Sequence, residues 1–176
     1  MHESRRFVDS FIRLVDKISE YCSKAFAWLI IPMVGGLFYE VIARYVFTAP
    51  TVWAYDLTYM LYGTLFVMGS AYALSKNRHV RIDVFYQRFS PRWKGITDAC
   101  LYLLLFFPFV LVLFIKGINY ASHSWTIREA SPAGAWRPPL YPLKTVLPVA
   151  MFVLLLQGAA QFVRSLRLAL GGKQNG

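Results

Sequence analysis

Charge, cysteine and histidine are scarce in this chain, and each scarcity removes a class of function. Only 16% of the 176 residues are charged, against roughly a quarter in an ordinary soluble domain, so a membrane protein is the first expectation. The three histidines, His2, His79 and His123, all avoid the middle of an apolar run, which excludes the paired axial ligands of a b-type haem subunit. The two cysteines, Cys22 and Cys100, have no cysteine or histidine at metal-ligand spacing; they read as structural fillers. No phosphate-binding glycine loop, HExxH, CxxC or nucleophile elbow is present. The apolar runs show no alternation of the kind a membrane barrel requires. Cofactor-binding, metal and catalytic readings all fail, and no enzyme is expected.

What is present is apolar length. Hydrophobic residues make up 57% of the chain and aromatics 17%. They gather in four runs at about 25–47, 53–74, 96–118 and 141–163, each near the ~20 residues a helix needs to cross the hydrocarbon core. One all-α integral membrane domain, 1–176, with four transmembrane helices is predicted. The first 23 residues alternate charged and apolar positions and read as an interfacial amphipathic helix, with no cleavable signal peptide. Ser90-Pro91 is a helix start, so a second interfacial helix is expected mid-chain, before the third span. Pro32, Pro108 and Pro148 predict bends. In the second span Asp56, Tyr59, Gly63 and Ser70 form a stripe suited to packing on protein.

The net charge of +10 raises a nucleic-acid reading that its distribution dismisses. Fourteen of the nineteen basic residues lie in the N-terminal segment, the loop between spans two and three, and the C-terminal tail. By the positive-inside rule both termini and that middle loop are cytoplasmic, and the other two loops are outside. Both cysteines then lie near the reducing side, which disfavours a disulfide.

Charges inside the spans are few, and an unpaired one costs several kcal/mol in a bilayer. Glu40 and Arg44, four apart, share a helix face. Arg44 and Asp56 lie at matching depth on either side of a short hairpin, about 5 Å below it, so an Arg44–Asp56 bridge with Glu40 one turn deeper is expected. The three form either a polar brace or partner contact, or an ion or proton site. The brace is favoured, because a sodium site wants an unwound helix and nothing in this stretch suggests one.

These residues carry a resemblance. Arg44-Tyr45-Val46-Phe47 with Pro50, Trp53 and Asp56, then His79-Val80-Arg81-Ile82-Asp83, then Glu129, Ser131 and Trp136-Arg137-Pro138-Pro139-Leu140-Tyr141-Pro142, followed by Pro148 and Leu154-Leu155-Leu156-Gln157, resemble the small membrane subunit of tripartite ATP-independent periplasmic (TRAP) transporters, the DctQ family. The match runs from about residue 20 to 168. Many members have two adjacent acids after the tryptophan, where this chain has Tyr55-Asp56.

The resemblance implies a subunit of the bacterial inner membrane that serves a sodium-driven, binding-protein-dependent importer of a small organic acid or related solute. It implies two protein partners, a large membrane transport subunit and a soluble periplasmic binding protein, with sodium on the large subunit and no cofactor on this chain. Arg128, Glu129, Trp136 and Arg137 become candidates for the docking surface. His79 and Asp83 are expected to pair within a cytoplasmic interfacial helix, where Arg81, Arg88, Arg92, Trp93 and Lys94 meet anionic headgroups. The competing readings are a redox-enzyme membrane anchor and a self-sufficient small transporter.

Overall fold

Pro32 decides where the first crossing bends. Its ring cannot accommodate the carbonyl four residues back, that of Trp28, and the chain turns at Trp28 and Leu29. The computed structural model describes residues 2–75, 90–132 and 135–170. In it α1 (His2–Ala27) runs to this turn and α2 (Ile30–Tyr45) leaves it. Sixteen residues of α2 rise only about 24 Å, less than the ~30 Å hydrocarbon core, so the first apolar stretch continues back into α1. α3 (Ala54–Ser75) follows the hairpin. α4 (Pro91–Leu101) passes through a π-helical turn at Tyr102–Phe106 into α5 (Phe107–Thr126), and α6 (Tyr141–Ala169) ends the described chain.

Four stretches are long and apolar enough to span a membrane: Val8–Tyr45, Ala54–Ser75, Arg92–Thr126 and Tyr141–Ala169. The first and third exceed the expected boundaries because α1 and α4, the two amphipathic helices, join their spans almost without interruption. Ser90 stands at the start of α4 as expected, but its hydroxyl makes no capping bond. His79, Arg81, Asp83 and Arg88 lie outside the described residues.

α6 is the helix the others pack around. Val153, Leu154 and Met151 meet Ala71 and Leu74 of α3 and Val110 of α5. Gly95 of α4 lies so close to the Ser165 and Ala169 backbone that no Cβ fits, and the Phe106 ring covers Gly158. The i→i+5 bond from Phe107 N–H to Tyr102 C=O sits just before Pro108, which supplies no N–H of its own; the expected bend takes the form of this π turn.

Polar side chains of α6 fasten its neighbours. Gln161 donates to the Leu74 and Ser75 carbonyls at 3.0 and 3.3 Å, groups left open at the end of α3. Arg92 Nε donates to the Ala169 carbonyl at 3.2 Å. Along α1, Asp9 pairs with Arg167 and Asp16 with Arg164. Gln157 donates to Asp16 at 2.9 Å and accepts from Ser19 at 2.8 Å. Partner numbers rise along α1 as they fall along α6, so the helices run antiparallel, with Ile12 and Val15 on Ala160 between them. The apolar face of α1 is therefore turned to protein.

Two expectations about faces need correction. α3 buries Ala54, Asp56, Thr64, Met68, Ala71 and Leu74, while Tyr59 is exposed and Gly63 has no neighbour within 4 Å of a built Cβ. Of the small-and-polar stripe Asp56 joins the packed face, while Tyr59 and Gly63 sit to one side of it, about a quarter turn away. Cys22 and Cys100 are free thiols, and Cys100 is exposed where a filler was expected.

Candidate functional site

The end of the bundle that carries the 46–53 turn and the 127–140 loop, here the loop end, holds two separate polar assemblies. The first belongs to the α2–α3 hairpin. Glu40 accepts from Arg44 Nε at 2.9 Å through one carboxylate oxygen and from Thr51 N–H at 2.9 Å through the other. Arg44 Nη2 and the Thr51 hydroxyl complete the set. Thr48 takes a positive φ of 53°, and the Ala49 N–H returns to the Ala43 carbonyl at 2.9 Å. The carboxylate thus holds its own turn closed, while the side chain of Arg44 stays half exposed.

Asp56 belongs to the second assembly. The expected Arg44–Asp56 bridge is not formed: Asp56 is 3% exposed and accepts from Ser131 of the 127–140 loop at 2.9 Å. Matching rise set the two residues at similar height, but their azimuths differ, Asp56 facing the bundle and Arg44 its outside. Asp56 lies in the first turn of α3, where the helix dipole favours an anion. Its second oxygen has no hydrogen bond among the described residues.

The loop is folded back on itself. Ser131 N–H donates to the Pro138 carbonyl and Leu140 N–H to the Glu129 carbonyl, each at 2.8 Å, around a single bridge between Ala130 and Pro139. Glu129 pairs with Lys144 of α6, whose ammonium lies 3.8 Å from the centre of the Tyr120 ring. Trp125 Nε1 donates to the Thr145 hydroxyl at 2.9 Å and its ring lies 4.4 Å from that of Tyr141. The Lys144 ammonium holds the Glu129 carboxyl below its ordinary range.

The four loop candidates therefore separate. Glu129 is engaged inside the chain. Arg128, Trp136 and Arg137 are exposed, and both arginines have positive φ, 46° and 48°, a region that costs an L-residue about 1–2 kcal/mol and recurs where function fixes the backbone. Arg92 and Trp93 are exposed in the first turn of α4 and Lys94 is half-buried, at the opposite end of the bundle. Sequence reasoning missed Thr51, Lys144 and Ser131 as partners. Among the described residues no three of His, Cys, Asp and Glu stand close enough together to hold a metal.

The arrangement offers anchoring and presentation: a loop pinned to α3, α5 and α6 with a cationic, aromatic tip. Comparison with curated proteins finds no match. The family model of the tripartite ATP-independent periplasmic transporters, DctQ component, matches residues 33–168, which include the hairpin, the loop, all of α3 to α5 and most of α2 and α6. That family is a transporter component working with a large membrane subunit and a periplasmic binding protein, not an enzyme. The chain belongs to the DctQ family, as the small membrane subunit of a TRAP transporter and a multi-pass inner-membrane protein.

Proposed function

We propose that this chain braces the large transport subunit and presents the 127–140 loop to the periplasmic binding protein. The transporter it serves is sodium-driven and imports a small organic acid or related solute, with sodium and substrate held by the larger subunit. The observation that carries this reading is the anchoring of the loop: Asp56–Ser131, Glu129–Lys144 and the Glu129 N–H on the Ser124 carbonyl tie its base to three helices, while Arg128, Trp136 and Arg137 stay uncovered. A surface that must meet a soluble partner repeatedly gains from being held in one shape beforehand. The basic residues concentrated in the two terminal segments and the middle loop support cytoplasmic termini, with the loop end facing the periplasm. On this reading 1–176 acts as one membrane domain, and Glu40 and Arg44 stiffen its first hairpin. The test is co-purification of the tagged chain with the large subunit from membranes expressing both. Recovery of the complex is expected. A chain that leaves the membrane alone, or that transports alone in liposomes, would end the bracing role.

A further inference from the structure

α5 buries Val110, Gly117, Ala121 and Ser124, and Gly117 lies against Leu147 and Pro148 of α6. The side of α5 turned away from this contact carries Lys116, Asn119 and His123. Their spacing of three and four residues places them in one row on one helix face. All three are exposed, and no described residue forms an ion pair with Lys116.

Depth makes the lysine informative. It lies ten residues before Thr126, the end of α5, hence about 15 Å along the helix from it. With the ring pair of Trp125 and Tyr141 set at the membrane interface, the usual place for such aromatics, Lys116 stands well inside a ~30 Å core. Its four-carbon stem is too short to carry the ammonium back over about 15 Å. The Cα–Cβ bonds of a helix also tilt toward its N-terminus, which for α5 is away from this interface. An ammonium facing lipid at mid-depth is costly, and such residues face protein or a cavity instead.

Resting on the bracing role proposed above, we infer that the Lys116–Asn119–His123 face of α5 is the seat of a transmembrane segment of the large subunit. That segment brings a carboxylate to Lys116 at mid-depth and hydrogen-bonding groups to Asn119 and His123. A second copy of this chain does not fit. Copies in one membrane share an orientation, and the acids of the α2–α3 hairpin are both shallower and taken, Glu40 by Arg44 and Thr51 and Asp56 by burial against Ser131. A lipid tail offers no counter-charge.

A photo-crosslinking residue in place of Asn119, introduced into the co-expressed complex in native membranes, should join this chain to the tagged large subunit. The Lys116→Glu variant should lower co-purified large subunit at least tenfold, and Lys116→Arg should retain it. The melting temperature of the isolated chain in detergent should stay unchanged, since the row lies off the buried face. Crosslinks only to lipid or to a second copy, or full co-purification of Lys116→Glu, overturn this face while the wild-type complex still forms. A wild-type chain that never recovers the large subunit removes the bracing role and this face with it.

Discussion

Replacing Gln157 with leucine tests how α1 is held to the bundle. The change nearly conserves volume and removes two interhelical bonds, one from Ser19 and one to Asp16. Such bonds in membrane proteins average about 0.6 kcal/mol each, so the pair alone accounts for about 1 kcal/mol. The larger part comes from Ser19, which is fully buried and loses its acceptor; an orphaned buried group costs about 1–3 kcal/mol. A back-bond to a carbonyl of its own helix is the relief open to a serine, and it sets the lower end. The expected loss is about 2–4 kcal/mol of α1 docking. At tenfold per 1.4 kcal/mol this is about thirtyfold to several hundredfold. Ile12 and Val15 still pack on Ala160, so α1 loosens while the bundle persists. Hydrogen exchange in lipid nanodiscs should show faster amides across residues 12–23 with α5 and α6 unchanged. Adding Ser19→Ala should restore part of the protection, because the orphan is then gone. An increase below about threefold, or one spread evenly over every helix, would refute the reasoning.

Three further outcomes follow from the same contacts. Gly95→Ala drives a Cβ into the Ser165 and Ala169 backbone and should cost about 1–3 kcal/mol in thermal or denaturant unfolding; Gly35→Ala, with nothing within 4 Å, should be neutral or stabilising by up to about 1 kcal/mol. The depressed carboxyl of Glu129 contributes stability that is present above the ordinary carboxylate range and lost as pH falls through its lower folded value. The loop should therefore be unchanged between about pH 5 and 8, and Lys144→Met should move the Glu129 carboxyl resonance to titrate at higher pH. Arg44→Ala leaves Glu40 with Thr51 as its remaining partner and should lower the yield of assembled complex without altering sodium dependence; normal assembly with a changed sodium response would restore the ion-site reading.

The hydropathy runs made the four crossings legible, because ~20 apolar residues in succession have few other destinations. Prolines also spoke plainly: Pro32 marks the α1–α2 turn and Pro108 the π turn. Side-chain partners were hidden wherever they depended on azimuth. Arg44 and Asp56 were placed at similar depth by rise per residue, yet the crossing of α2 on α3 turns one outward and the other inward. Asp9, Asp16 and Ser19 look like one side of an amphipathic surface helix, and their partners are 138 to 158 residues away. Gln157 was visible as part of a family pattern, but its role needed α1 in place. The 127–140 loop was recognised by its residues, whereas its anchoring through Lys144 and Ser131 is a tertiary fact.

The central claim, that this subunit presents its loop to the periplasmic binding protein, is tested most directly by uptake into proteoliposomes holding both membrane subunits. With Arg128→Glu and Arg137→Glu combined, the assembled complex should form normally, and uptake should need at least tenfold more binding protein to reach half its maximal rate. Unchanged dependence on binding protein, in a complex assembled at wild-type yield, would contradict the account.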